Sequence, residues 1–288
     1  MGQDEILKLL KKEKKWLSSK QIAEKLGNSS ATRSLQVLLK SNDIIRRYVK
    51  VNNHNEYQWK NKMKTNTIIQ GDAIKVLKTF PEESVDLIVT DPPYNIGINY
   101  GKNKDKLSQE DYIKWCVKWI RQCERVLKEN GSIYIINYPE SNASVMCEIN
   151  RQTKLLFKRW IMWFYPTNIG CSPKNWTRAS RSILFYTKGN KYKFNLKEGE
   201  VIDDFIEFNL VKNTSKEKVK GFPNQIPEKL MKLLIELSSN KGDLVLDPFI
   251  GSGTTAVVCK KNNRDFLGIE LNPKYVKIAN KRLLEAGE

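Results

Sequence analysis

The chain has 288 residues, 40% of them hydrophobic, and 50 Lys and Arg against 32 Asp and Glu, a formal net charge of +18. That hydrophobic share builds a core and excludes a wholly disordered basic tail. No apolar run reaches the roughly 20 residues of a membrane helix. The N-terminus also lacks a secretory apolar segment, so the expected setting is the cytoplasm, with no membrane partner. The length suits one large α/β domain, or one such domain plus a small accessory one. The excess charge asks for a polyanion, nucleic acid before any other. It is unevenly spread: residues 1–65 carry net +9, 66–150 net −2, 151–221 net +9 and 222–288 net +2. Two segregated basic blocks favour a binding surface over general solubility. The five cysteines are scattered without a CxxC pair, and His54 is the only histidine. No metal site, disulfide framework or histidine acid–base chemistry is therefore expected.

In chain order, Ile6, Leu7, Leu9 and Leu10 stand at helical spacing in residues 3–15. Ser18 or Ser19 then offers an N-cap. A helix from Lys20 to Leu26 presents Ile22, Ala23 and Leu26, with Gly27 as its C-cap. After Asn28–Ser30 a third helix carries Leu35, Leu38 and Leu39. Two β-like stretches, Ile44–Val49 and Glu56–Trp59, are joined by Asn52–Asn55. A small residue at the helix crossing and glycine at the turn suit a helix-turn-helix. With its trailing hairpin the block resembles a winged helix. Residues 1–62 are thus expected to form a DNA-binding domain, with Ser30, Thr32, Arg33 and Gln36 facing a major groove. A helical protein–protein module is the alternative. Lys60–Thr65 reads as a linker.

The pattern changes at Asn66. Thr67–Gln70 is a short strand leading to Gly71-Asp72, and Val85–Thr90 is a near-continuous apolar strand of the doubly buried, parallel-sheet kind. It runs into Asp91-Pro92-Pro93-Tyr94. Two prolines cannot continue a central strand. They form a stiff turn at the strand's carboxyl end, where open α/β sheets place ligands. Asp91 and the Pro92 carbonyl are two converging acceptors, suited to the two hydrogens of an exocyclic NH₂ on a nucleobase. Tyr94 offers a ring on which that base can stack. A helix-capping Asp before a proline turn would explain the first three residues but not Tyr94.

Near the C-terminus the strand Asp243–Asp247 is followed by Pro248-Phe249-Ile250-Gly251-Ser252-Gly253-Thr254-Thr255-Ala256 and a helix. The glycines let backbone approach a ligand, and the helix N-terminus favours negative charge. The next strand, Asp265–Ile269, ends at Glu270, a carboxylate able to accept both ribose hydroxyls. Alone, this segment also fits the GxGxxA dinucleotide fingerprint of a nicotinamide-dependent oxidoreductase.

Together the two sites resemble the DNA amino-methyltransferases that use S-adenosylmethionine. TDPPYNIG (Thr90–Gly97) is similar to their catalytic motif, and LDPFIGSGTT (Leu246–Thr255) to their cofactor loop. GIELNPKYVKIA (Gly268–Ala279) is similar to their ribose-binding strand and following helix, and FPNQIPEKL (Phe222–Leu230) to the motif opening the helix beside the cofactor. The resemblance covers residues 66–288, with the catalytic motif first and the cofactor loop last, the permuted β-type order. It implies a Rossmann-like seven-stranded sheet. It also implies that Asp247, Phe249, Gly251 and Gly253, with Thr254 in the same loop, line the methionine part of the cofactor. Glu270 would bind its ribose and Asp72 the adenine side. Asp91, Pro92, Pro93 and Tyr94 would hold the target amine of a base flipped out of double-stranded DNA.

The chain departs from the family at Ser180-Arg181, where a His-Glu pair is common, and at Ile226, where Lys often follows the Gln. No cysteine follows a proline, which disfavours transfer to cytosine C5 through a thiolate. Asp in first position of the tetrad implies adenine N6, with cytosine N4 as the alternative. The expected partners are DNA, a cognate restriction endonuclease and a second copy of the chain. Residues 151–221 are expected to be an inserted target-recognition region. In it Lys174, Trp176, Arg178 and Arg181 are the DNA candidates, Ile161 and Trp163 belong to a core strand, and Lys212–Lys220 reads as a mobile loop. A DNA-binding regulator with a dead enzyme fold is a further rival, opposed by the intact motifs.

Overall fold

The computed structural model describes residues 2–13, 16–27, 31–40, 44–49, 54–59, 64–97, 106–166 and 174–286. Ser30, Cys171, Asn52 and Asn53 of the Asn52–Asn55 connection and residues 60–63 of the expected linker lie outside them. The chain divides into two compact units, Met1–Lys64 and Thr65–Glu288.

The first unit runs α1 (Gln3–Glu13), β1 (Leu17–Ser18), α2 (Ser19–Lys25), α3 (Thr32–Lys40), β2 (Ile44–Val49) and β3 (His54–Trp59). Ser18 starts α2 with a capping box. Its hydroxyl accepts the Gln21 N–H, and the Gln21 side chain accepts the Ser18 N–H at 2.8 Å. Gly27, at φ +67°, supplies the left-handed turn that ends the helix. Ile6, Leu10, Ile22, Ala23, Leu35 and Leu38 close a small core with Leu17 and Ile44. The sheet order is β1-β3-β2, all antiparallel. β1 is too short to show a period-two pattern and has no sequence signature.

The second unit continues with β4 (Thr67–Gln70), α4 (Ala73–Leu77), β5 (Val85–Thr90), α5 (Gln109–Val126), β6 (Leu127–Asn137), α6 (Pro139–Gln152), β7 (Leu156–Phe164), β8 (Ser180–Thr187) and β9 (Phe205–Glu207). It ends with α7 (Glu228–Ser238), β10 (Leu244–Asp247), α8 (Thr254–Lys261), β11 (Asp265–Glu270) and α9 (Pro273–Glu285). One sheet holds all its strands, in the order β4-β11-β10-β5-β6-β8-β7-β9. From β4 to β6 neighbours are parallel, and β8 is antiparallel to both β6 and β7. Helices α4, α5 and α6 pack on one another, and α7, α8 and α9 form a second group. The chain leaves β5 for β6 on one side and β10 for β11 on the other. β5 and β10 are neighbours, so their carboxyl ends form the topological switch point where such sheets bind ligands.

Two expectations need correction. The sheet has eight strands among the described residues, not seven. The extra one is three-residue β9, which pairs in parallel with β7 at the edge. Residues 151–221 are not a simple insertion, because β7 and β8 lie within the main sheet. Ile183, Leu184, Phe185 and Tyr186 are all buried, so β8 is covered on both faces and shows no alternation. Trp163 is buried and Ile161 packs against the core, as expected for a core strand.

Every residue of β5 is buried, including Asp86. Its carboxylate accepts from Lys128 Nζ at 2.7 Å, Lys193 Nζ at 3.0 Å and the Leu244 N–H at 3.1 Å. Lys193 also reaches Asp243 at 2.5 Å. Burial raises the Asp86 pKa, but these three donors outweigh it and hold the group below the ordinary carboxylate value. Its stabilising contribution is therefore full at neutral pH and is lost as pH falls through the folded value. Asp86→Asn should cost about 2 kcal/mol at pH 7, the scale of lost charge-assisted hydrogen bonds. Denaturant titrations should show the gap to wild type narrowing in acid.

Candidate active site

β5 delivers Asp91 just past its end, and the two prolines turn the chain. The turn is fixed from two other elements. Tyr112 of α5 donates its hydroxyl hydrogen to the Pro93 carbonyl at 2.8 Å, and Asn137, last residue of β6, donates to the Tyr112 oxygen at 2.8 Å. Among the described residues no donor is found for the Pro92 carbonyl. Tyr94 is buried and its hydroxyl donates to the Asp91 carboxylate. The Tyr94 ring packs against Tyr138 at 4.7 Å between centroids, and the Arg181 guanidinium lies 5.0 Å from its centre. Burial pushes the Asp91 pKa up to about 7; Arg181 and the Tyr94 hydroxyl pull it down, and Asp247 adds to the rise.

Asp247 ends β10, the next strand. Its Oδ1 accepts from the Thr90 hydroxyl at 3.0 Å and the Phe249 N–H at 3.1 Å, and its Oδ2 accepts from the Thr255 hydroxyl at 2.5 Å. Both oxygens thus hold the loop together. Burial pushes this carboxyl up to about 6, against those donors. Gly251 has φ +49°, and a Cβ there would stand 2.6 Å from Phe222 Cζ. Gly253, at φ +84°, backs onto Ala279. α8 starts at Thr254, whose hydroxyl accepts from Arg282 at 2.9 Å; Arg282 also bonds Glu228 at 2.7 Å. This clamp ties the glycine loop to α7 and α9. Glu270, last residue of β11, accepts the Gly251 N–H at 3.1 Å and the Asn272 N–H at 2.7 Å. Burial raises its pKa against these donors. Asp72 follows β4 and caps α4 by accepting the Lys75 N–H at 2.9 Å.

One cavity of about 460 Å³ joins these groups. Asp72, Asp91 to Tyr94, Asp247, Phe249, Gly251, Thr254 and Glu270 all line it, while Gly253 stands behind. Among the described residues no Lys or Arg lines it, so four carboxylates face an enclosed space in a strongly basic protein. Its walls are aromatic: Trp115 packs on Phe249 at 5.4 Å, and Phe222 on Tyr275 at 4.8 Å. Phe222 to Asn224 and Ile226 of the proline-bounded motif line it too. The intervening Gln225 is buried; it accepts the Val219 N–H at 2.8 Å and donates to the Glu217 carbonyl at 2.7 Å. Gln225 thus bonds the end of Lys212–Lys220, the segment that reads as a mobile loop.

Sequence reasoning missed Tyr112, Trp115, Asn137, Tyr138 and Arg282. Asn137 carried a signal, a polar residue closing the apolar run Ile133–Ile136. Tyr112 and Trp115, three apart, share a helix face, but nothing local says what that face covers.

The DNA candidates separate. Thr32, Arg33 and Gln36 are exposed on α3, and Lys174 and Trp176 are exposed, the latter to 95%. Arg178 is paired through both terminal nitrogens with Glu140 at 3.0 and 2.8 Å and lies 4.0 Å over the Tyr138 ring. Arg181 is only 4% exposed, which removes it from the phosphate-contacting surface. Its place on doubly buried β8 turns it inward, behind Tyr94. Cys116, Cys123 and Cys259 are buried and Cys147 is exposed. Burial raises the Cys123 and Cys259 thiols well above their usual range, away from thiolate chemistry. Among the described residues no cluster suits a metal ion, and no helix is long and apolar enough to cross a membrane.

A family model for DNA methylases, N6_N4_Mtase, matches residues 85–281, and one for the RMKL-like methyltransferase domain matches residues 5–156. The chain is 38% identical over 245 residues to the DNA adenine methyltransferase YhdJ of Escherichia coli (strain K12), covering 75% of this chain and 82% of that one. It is 37% identical over 232 residues to the Type II methyltransferase M.HpaI of Haemophilus parainfluenzae, covering 75% and 73%. The solved M1.HpyAVI–SAM complex is similar with a TM-score of 0.58 and 25% identity, over 75% of this chain and 98% of that one. The turn and the glycine loop lie within the residues that the DNA methylase model matches, and the chain belongs to the N6/N4 DNA methylase family.

Proposed function

We propose that this chain methylates the N6 amine of adenine in double-stranded DNA, using S-adenosylmethionine, and that it is the modification partner of a restriction endonuclease. The observation that carries the reading is an acceptor pair, the Asp91 carboxylate and the Pro92 carbonyl, at the edge of an acidic cavity. Adenine as the base is supported by the likeness to a relative named as an adenine methyltransferase, and the pairing by one named as Type II. The cavity lies within the roughly 300–1,000 Å³ typical of small-molecule sites. Four carboxylates without a lining cation suit a cationic cofactor, and Trp115, Phe249 and Phe222 suit its apolar parts. Glu270 would hold its ribose hydroxyls, Asp72 its adenine edge, and Phe249 to Gly251 its methionine part.

When bound, S-adenosylmethionine supplies a methyl group on a sulfonium that is its own leaving group. The chain's residues position and neutralise. Asp91 exchanges the Tyr94 hydroxyl for one amine N–H, and the Pro92 carbonyl accepts the other. Both acceptors draw electron density onto the nitrogen and stabilise the positive charge that develops there. As the N–CH₃ bond forms, one amine proton passes to the Asp91 carboxylate. Adenine must leave the helical stack to reach these groups, and the Tyr94–Tyr138 pair is the aromatic surface beside it.

For residues 1–62 the reading is a winged helix on DNA. It is supported by the order of three helices and three strands, by the charge, and by Thr32, Arg33 and Gln36 on the exposed face of α3.

Asp91→Asn should reduce tritium transfer from labelled S-adenosylmethionine by at least about 10²–10³-fold, the scale of a lost charge-stabilising group. Calorimetric affinity for the cofactor should stay within a few-fold; full transfer by the variant would end this assignment. Only ionised Asp91 accepts the amine, so kcat/KM for DNA should rise with pH about a midpoint near 7. Digestion of product DNA to nucleosides should yield N6-methyladenine; N4-methylcytosine would redirect the reading to the other base. Gly251→Ala, with its strained φ and its clash on Phe222, should weaken cofactor binding about tenfold or more, about 1.4 kcal/mol. Arg33→Ala should flatten the salt dependence of DNA affinity by about one unit of slope if α3 meets phosphate. An unchanged slope would remove α3 from the interface.

A further inference from the structure

Arg181 is a buried cation without a matching anion in contact. It is 4% exposed, and its Nε and Nη1 have no hydrogen-bond partner among the described residues. The other arginines near the site, Arg178 and Arg282, each hold a carboxylate, Glu140 and Glu228 respectively. Arg181 instead faces rings: its guanidinium lies 5.0 Å from the centre of Tyr94, 5.2 Å from Trp163 and 5.8 Å from Tyr138. A desolvated guanidinium is costly, and ring faces answer only part of its charge. The Tyr94 ring that it faces carries a hydroxyl bonded to the Asp91 carboxylate, which makes Asp91 an anion its charge can answer.

We propose that Arg181 is a positioning residue for methyl transfer: its guanidinium, fixed behind the Tyr94 ring, is the countercharge that keeps the Asp91 carboxylate anionic and ready to accept the target amine. This rests on the proposed role of Asp91. In a poorly screened interior, opposite charges act across several ångströms without touching. The groups facing Asp91 are Tyr94 from its own turn, Arg181 from β8 and Asp247 from the end of β10; Tyr138, at the start of α6, faces Tyr94. Asp247 disfavours the anion and Arg181 favours it, as the opposite signs of their effects on Asp91 show. Tyr165, beside Arg181, completes the polar set on that side. Arg181 does not line the cavity, whereas Tyr94 and Asp91, on which its charge acts, do.

The test is the pH profile of kcat/KM for DNA in Arg181→Met, Arg181→Gln and Arg181→Lys, each checked by thermal melt. Both neutral variants should move the rising limb up by at least one pH unit. Transfer at pH 6.5 should fall about tenfold or more, with most activity recovered near pH 9 and cofactor affinity unchanged. Arg181→Lys keeps the charge and should keep the midpoint near that of wild type. A merely structural role predicts lower activity with an unmoved midpoint, and that result would overturn the proposal, as would a lysine variant that behaves like the neutral ones. If neither neutral variant folds, Arg181→Ala assayed with and without added guanidinium ion replaces them: a midpoint lowered towards wild type by the ion supports the countercharge, and a midpoint that the ion does not move refutes it. Asp91→Asn, run beside them, separates the two ideas. Its full activity removes the role of Asp91 itself, whereas its inactivity with unmoved Arg181 midpoints removes only the countercharge.

Discussion

Thr90 and Thr255 both donate to one buried carboxylate, Asp247, and the rest of the site depends on that bonding. Thr90 is the last residue of β5, immediately before the catalytic turn; Thr255 is in the first turn of α8, immediately after the glycine loop. The Asp247 carboxylate therefore fixes the distance between the Asp91 turn and the glycine loop, which in the proposed reaction take the base and the cofactor. Its donors offset the cost of burying it, and the Phe249 N–H it also accepts sets the direction in which the loop departs. Methyl transfer is demanding in position, since misplacement by about 1 Å can cost a hundredfold. A side-chain bond across the switch point meets that demand better than either loop could alone.

The same bond explains why chain order is immaterial. β5 and β10 are separated by some 150 residues, on the same scale as the Thr90–Asp247 spacing of 157 residues, yet they are neighbours in the sheet. Ligands see only the order of strands in space. The division of charge follows the same geometry. The cavity presents carboxylates and, among the described residues, no lining cation, while the segments carrying net +9 are residues 1–65 and 151–221. A cationic cofactor and a polyanionic substrate need opposite fields, and the chain carries its excess positive charge in segments other than those that supply the cavity's carboxylates.

What was legible in the sequence was whatever depends on neighbours in the chain. The apolar run Val85–Thr90 stated a doubly buried strand, Ser18 stated a helix start, and Gly251 stated a turn without room for a side chain. What depends on packing was not legible. Arg181 sits in a basic block beside exposed Arg178, and only the two-sided burial of β8 distinguishes an inward guanidinium from one that meets phosphate. Tyr112 and Asn137 fix the catalytic turn from α5 and β6, and no local pattern records a contact to Pro93. Likewise, Lys212–Lys220 has the composition of a loose loop, but Gln225 holds it through two main-chain bonds.

In the proposed reaction the environment of Asp91 must satisfy two requirements that oppose each other. To accept an amine N–H the carboxylate has to be ionised before the reaction, which favours a low pKa. To take the proton released as the new N–C bond forms, it has to be a competent base, which favours a high one. A value near 7 is where both are met at neutral pH. Burial and Asp247 alone would carry the group beyond it, leaving a protonated carboxyl that donates where it should accept. Arg181 and the Tyr94 hydroxyl supply the opposing pull. Of these two, the hydroxyl must yield when the amine arrives, since both compete for the same oxygen. A fixed charge behind the ring does not leave, so the balance survives the moment at which the base replaces Tyr94.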